Sequence, residues 1–180
     1  MNDTIARYLN AVPDSQSRKY LQIILNAIAD RYSACMLSTA GLVIKAGGSA
    51  LVKTGATAFV ALTNNGIANI LVTKAAATDM AALVGTVVNA TFNVFVYYID
   101  NAGTLTSAMG TAGATLSAVT FPPTPQGKAI VGFTIINPTG TGNFVGGTTA
   151  IDDATVVPNA VHVSPLGAFD PTVILGAVTP

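Results

Sequence analysis

The apolar positions of this chain follow two different periods, and the change falls near residue 40. From Asp14 the sequence reads Asp-Ser-Gln-Ser-Arg-Lys-Tyr-Leu-Gln-Ile-Ile-Leu-Asn-Ala-Ile-Ala-Asp-Arg-Tyr. Leu21, Leu25, Ile28, Tyr32 and Cys35 follow one another at spacings of four, three, four and three. Those spacings place them on one face of a helix. Pro13 breaks any earlier helix, and Asp14 or Ser15 supplies an N-cap. Arg18, Lys19, Asn26, Asp30 and Arg31 lie off the seam. A shorter helix is expected over 3–11. The seam has two readings. Either the helix packs on its own domain, or it joins two or three subunits through Leu21, Leu25, Ile28 and Tyr32, as in a short coiled coil or three-helix stem. Two heptads are marginal alone, so the helix needs a packing partner in both cases.

Beyond residue 40 the period becomes two. Alternation appears in Thr57-Ala-Phe-Val-Ala-Leu-Thr and in Ile67-Ala-Asn-Ile-Leu-Val-Thr, with Asn65-Gly66 between them. Asn-Gly between such runs marks a hairpin, because both residues tolerate positive φ. Asn93-Val-Phe-Val-Tyr-Tyr-Ile reads as a strand buried on both faces, or nearly so. Asp100-Asn-Ala-Gly turns it back into Thr104-Leu-Thr-Ser-Ala-Met, and Gly110-Thr-Ala-Gly leads to a further strand at Thr115-Leu-Ser-Ala-Val-Thr-Phe. Pro122, Pro123 and Pro125 make a stiff connector before a second strongly apolar strand, Lys128-Ala-Ile-Val-Gly-Phe-Thr-Ile-Ile. Lys74-Ala-Ala-Ala-Thr-Asp-Met-Ala-Ala-Leu dissents and suggests a short helical turn. Pro158, Pro165, Pro171 and Pro180 mark an extended arm lying on a surface. The expected fold is α+β, mostly β. An N-terminal helical stem (1–39) precedes an antiparallel β-sandwich or small barrel (40–155) and an extended C-terminal arm (156–180).

Composition narrows the function. The chain of 180 residues is 51% hydrophobic and 9% charged, with zero net charge, where soluble domains carry about 25% charged residues. So little charge gives little repulsion between copies and favours self-association. Eight basic residues, clustered only at Arg18-Lys19, form no nucleic-acid stripe. The same shortage argues against an anionic membrane surface. No run of about 18 apolar residues suggests a membrane span. The polar start Met1-Asn2-Asp3-Thr4 does not read as a signal peptide, so synthesis in the cytoplasm is expected.

Catalytic chemistry finds little support. The single histidine, His162, sits in an alternating apolar run and reads as a strand residue. A triad of a serine, His162 and Asp152 lacks the Gly-x-Ser-x-Gly elbow. Asp152, Asp153 and Asp170 match no calcium loop and read as turn residues. Gly140-Thr-Gly-Asn-Phe-Val-Gly-Gly resembles a phosphate loop, but its third glycine comes one residue late and no helix follows. It reads as a wide turn between strands. Gly127-Lys128 is followed by Ala129, so it is no Walker motif. Cys35 reads as a small buried hydrophobe. No cofactor, metal or catalytic residue is expected.

Three strings carry a resemblance: Phe92-Asn-Val-Phe-Val-Tyr-Tyr-Ile-Asp-Asn-Ala-Gly-Thr-Leu, Lys128-Ala-Ile-Val-Gly-Phe-Thr-Ile-Ile-Asn-Pro-Thr-Gly-Thr-Gly-Asn-Phe-Val-Gly-Gly-Thr-Thr, and Asp152-Asp153-Ala-Thr. Over residues 75–171 the chain resembles tailed-bacteriophage virion proteins that accompany the major capsid protein. The resemblance implies a capsid decoration (cement) protein or head-fibre base, often trimeric, with no catalytic residues carried over. It leaves the helical stem uncovered. A cement protein contacting the major capsid protein and its own copies on the virion surface is the first expectation. A fibre or adhesin recognising a host receptor is the second. An enzyme, which would need His162, Asp152 or Asp153 in a cleft, is the third.

Overall fold

The computed structural model of the chain describes residues 15–169, the side chains of 26–33 excepted. The expected helix at 3–11, the Asp14 cap, Asp170 and the end of the arm lie outside the described residues. The fold is mostly β with an N-terminal helix. Helix α1 (Ser15–Ser33) leads into strands β1 (Cys35–Met36), β2 (Val43–Ile44), β3 (Val52–Lys53), β4 (Phe59–Asn64) and β5 (Asn69–Lys74). There follow β6 (Thr86–Val87), β7 (Asn93–Ile99), β8 (Leu105–Met109), β9 (Ala129–Ile136), β10 (Phe144–Val145) and β11 (Val161–Val163).

The central sheet has four antiparallel strands in the order β11-β9-β7-β8. A second antiparallel sheet has the order β1-β4-β5, and β2-β3 and β6-β10 form two-stranded ribbons. Every residue of β7 and β9 is buried. Their largely apolar sequences follow from cover on both faces of the central sheet. On one face Phe95, Tyr97 and Ile99 meet Phe59, Ala61 and Val72 of the second sheet. On the other, Val94, Val96 and Tyr98 share a core with Phe133, Ile135 and Val119. Phe121 and Phe169 close that side, with ring centroids 5.1 and 5.3 Å from Phe133. The β7–β9 register slips between Tyr97 and Tyr98. The extra residue on β9 shifts the phase of its alternation, so the two faces keep their apolar supply past the irregularity.

The Asn65-Gly66 hairpin forms as expected, through a longer connection than a two-residue turn. Asn64 pairs with Asn69, and the Asn65 carboxamide oxygen accepts the N–H groups of Ile67 and Ala68. Gly66 takes φ +89°, which a side chain would disfavour. Three local expectations fail. Cys35, the last residue of the helix seam, lies beyond the end of α1 on strand β1. The segment 74–83 is not helical. Ala77 adopts φ 55°, which ends any right-handed turn, and the Thr78 and Met80 N–H groups bond to Thr54 Oγ1 and Val52 O. The expected strand at 115–121 is a 3₁₀ turn at Leu116–Ala118, and only Thr120 bridges back, to Thr111. Within the arm, Val161–Val163 pairs with β9 as an edge strand. The wide turn at 140–147 holds the short strand β10.

Candidate functional site

The helix seam is the first place to look. Turning about 100° per residue, Arg18, Gln22 and Leu25 share a narrow arc of α1, and these are its half-buried side chains. Leu21 is 37% exposed, and Tyr20, Ile23 and Ile24 are 64%, 56% and 54% exposed. Tyr20, Ile23 and Ile24 occupy the opposite side of the helix, and Leu21 lies on its flank, one turn before Leu25. The helix therefore turns two polar residues inward and an apolar face outward, the reverse of an ordinary surface helix. Arg18 Nε is enclosed without a hydrogen-bond partner. The backbone of Ile28 and Tyr32 lies within α1, but their side chains lie outside the described residues. Along the seam Leu25 is half-buried and Leu21, one turn before it, is somewhat more exposed. Tyr20, Ile23 and Ile24 were not singled out by the seam, although their spacing of three and four from residue 20 carries the same signal.

Two further apolar surfaces lie on the β-domain. The β6–β10 register sets Val145 opposite Thr86. Val84 and Val88 flank β6 in sequence, and all three valines are exposed. At the edge of the second sheet, Leu71 is 65% exposed on β5.

The chemical candidates are arranged as follows. His162 and Asp152 both line an open pocket of about 300 Å³, whose other walls are apolar, among them Ile44, Val157 and Pro158. The Asp152 carboxylate accepts the Gly48 N–H at 3.1 and 3.0 Å. His162 Nδ1 lies 2.9 Å from Thr134 Oγ1, which lies 3.2 Å from the Tyr97 hydroxyl. Burial holds the imidazole below its ordinary pKa. No serine lines this pocket, so the triad is not assembled there. Asp153 points elsewhere: its carboxylate accepts the Thr155 hydroxyl and N–H, and these bonds hold it below the usual carboxylate range. Burial pushes the Cys35 thiol up, away from the thiolate form. In the 140–147 turn, the Gly140 and Thr141 N–H groups donate to Val156 O and Thr155 O. The Asn89 carboxamide donates to Gly140 O and Gly142 O. Those two N–H groups are engaged within the chain and are not free to cradle a phosphate. Among the described residues, no three potential ligands cluster to hold a metal, and no helix is long and apolar enough to cross a membrane.

No protein-family model, curated protein or solved structure matches the chain.

Proposed function

We propose that this chain is a virion structural protein that binds the outside of a phage capsid and stabilises it. It would be a decoration (cement) protein acting through subunit–subunit packing. The observation that carries the reading is the outward apolar face of α1: Tyr20, Ile23 and Ile24. Such a face, on a chain only 9% charged, favours a partner surface over water. The resemblance in the β-domain supplies the kind of partner. The β-domain, read as a sandwich, would sit against the major capsid protein, and α1 would join neighbouring copies, with a trimer favoured.

Magnitudes support assembly on a scaffold over assembly by the helix alone. Fully burying three large apolar side chains gains about 5–9 kcal/mol, and association costs about 4–15 kcal/mol. The helix face is therefore weak by itself. Copies already held on a shell pay little of that association cost again. Binding to the assembled shell alone then stabilises it by mass action. The test is to purify the particle and count this chain. Many copies per particle on its outer surface are expected, and absence from virions would sink the reading. The open pocket at Asp152 and His162 favours a second reading, a fibre or adhesin module recognising a host receptor. That reading requires few copies per particle, so the same count separates the two.

A further inference from the structure

We infer that β5 is an acceptor strand for the C-terminal segment of a second copy of this chain, residues 172–178. The inference needs no capsid and stands apart from the function proposed above.

The acceptor is read from the hydrogen bonds of β4. The Val60 carbonyl accepts the N–H groups of Leu37 and Ser38, and the Asn64 N–H donates to Gly127 O. These β4 positions direct their backbone groups away from β5. Their register partners are Thr73 and Asn69, with Leu71 opposite Leu62 between them. In an antiparallel pair the alternation is strict. Asn69, Leu71 and Thr73 therefore direct their N–H and C=O groups away from β4. Among the described residues, no strand pairs with that side of β5. Edges are usually protected by proline, a bulge or an inward charge. The β5 register is continuous, its first five residues are Asn-Ile-Leu-Val-Thr, and the one charge is Lys74 at its end. Leu71 stands 65% exposed beside this edge.

The donor is read from sequence. Residues 172–178 are Thr-Val-Ile-Leu-Gly-Ala-Val, uncharged and rich in β-formers, with Pro171 before them and Pro180 beyond. The stretch is one residue longer than β5, long enough to run its full length, and both prolines fall outside it.

Reach decides that the donor belongs to another copy. Gly167 exchanges backbone hydrogen bonds with Met36 of β1, on the edge of the second sheet opposite β5. Phe169 then packs against Phe121 and Phe133 on the far face of the central sheet. From Phe169 to residue 172 the chain spans at most about 10 Å. Gly167 sits one strand spacing beyond β1, so the chain's own β5 lies three spacings, about 14 Å, back across the second sheet, and Phe169 leads the chain away toward the far face of the central sheet. The chain's own tail is too short to lay 172–178 along its own β5. A neighbour's tail has no such limit. The contact is head-to-tail, so it closes into a ring or grows into a chain of subunits.

The test uses complementary full-length variants in sedimentation velocity. Thr73→Pro removes an outward N–H without removing a bond to β4, a place where edge strands tolerate proline. Ile174→Lys with Val178→Lys spoils the donor. Each variant is expected to keep the melting curve that the wild type shows when diluted to monomer, to lose the wild-type oligomer, and to form a 1:1 complex when mixed with the other. In that complex one intact edge meets one intact arm. Wild-type assembly by either variant, or no complex on mixing, would overturn the inference. If Thr73→Pro alters the melt, Leu71→Lys replaces it, with the same expectation. A wild-type chain that sediments as a monomer at every concentration also overturns it.

Discussion

Thr134 Oγ1 on β9 sits 2.9 Å from Nδ1 of His162, its cross-strand partner on β11. The same hydroxyl is 3.2 Å from the Tyr97 hydroxyl. With Nδ1 accepting, Tyr97 donates to Thr134 and Thr134 donates to His162. Protonating the imidazole makes Nδ1 a donor to Thr134 Oγ1, and one hydroxyl proton of the trio, that of Thr134 or of Tyr97, loses its acceptor. Burial acts in the same direction and lowers the His162 pKa. The unfolded chain takes up this proton near 6.5, and the folded chain takes it up at lower pH. Stability is therefore full above about pH 6.5 and falls as pH drops toward the folded pKa. With one histidine and no glutamate in the chain, few other side chains confuse that window. Melting temperature is expected to fall from pH 7.5 to 5, and His162→Gln should flatten most of the fall. A profile unchanged by the substitution would remove His162 as its cause.

Adjacent tyrosines give opposite expectations. Tyr97 and Tyr98 point to opposite faces of β7, and both are buried. Tyr97 has Thr134 as a partner, whereas the Tyr98 hydroxyl is enclosed with none, and burial pushes its pKa up to about 12. Tyr97→Phe should cost about 0.5–1.5 kcal/mol by losing a hydrogen bond. Tyr98→Phe removes an uncompensated polar atom and should be neutral or stabilising by up to about 1 kcal/mol. Denaturant unfolding of the two variants measures both. The reverse order would mean that the two hydroxyls are wrongly placed.

These tyrosines sit where the sequence was most legible. β7 and β9 declared themselves because burial on both faces leaves them almost wholly apolar, Asn93 and Thr134 excepted, a signal that needs no partner to read. The Asn65-Gly66 hairpin was legible for a local reason, its turn chemistry. The failures are non-local. Residues 115–121 alternate like a strand, but the chain folds back at Gly113, where a Cβ would meet Ala118 and the Thr115 carbonyl at 2.9 Å or less. Residues 74–83 carry helix-forming alanines, yet Thr54 and Val52 capture their backbone. The pocket shows the same limit. His162 and Asp152 could each be named from sequence, but their shared wall is made by the return of β11 onto β9. The outward face of α1 was hidden because a seam says which residues align, and not which side meets the domain.

That face gives a prediction of its own. Ile24 is 54% exposed on α1, and Leu25 is half-buried next to it. Ile24→Asp should change monomer stability by less than about 0.5 kcal/mol, as exposed substitutions do. It should also weaken self-association at a given concentration. Leu25→Asp should lower the melting temperature as well, because it places a charge where the helix meets the β-domain. Light scattering and thermal melts on both variants separate the effects. Unchanged association in Ile24→Asp would deny the helix face a role.

Gly132 tests how β11 is held. It pairs with Tyr97 where the β7–β9 register slips. A Cβ there would lie 2.5 Å from Leu42 Cδ1 and 2.6 Å from the Val163 carbonyl oxygen. The Leu42 side chain can rotate away. The Val163 carbonyl cannot move without shifting β11, where Val163 pairs with Phe133. Gly132→Ala should therefore cost about 1–3 kcal/mol, as overpacking does. It should also loosen His162 from Thr134, and the imidazole pKa should rise toward 6.5 as its burial is lost. Urea unfolding reads the first effect, and a proton NMR titration of the single histidine reads the second. Adding Leu42→Ala distinguishes the two obstacles. If the side chain were the main obstacle, the double variant would regain the wild-type histidine pKa. With the carbonyl as the obstacle, the pKa stays raised, and that is the expected result.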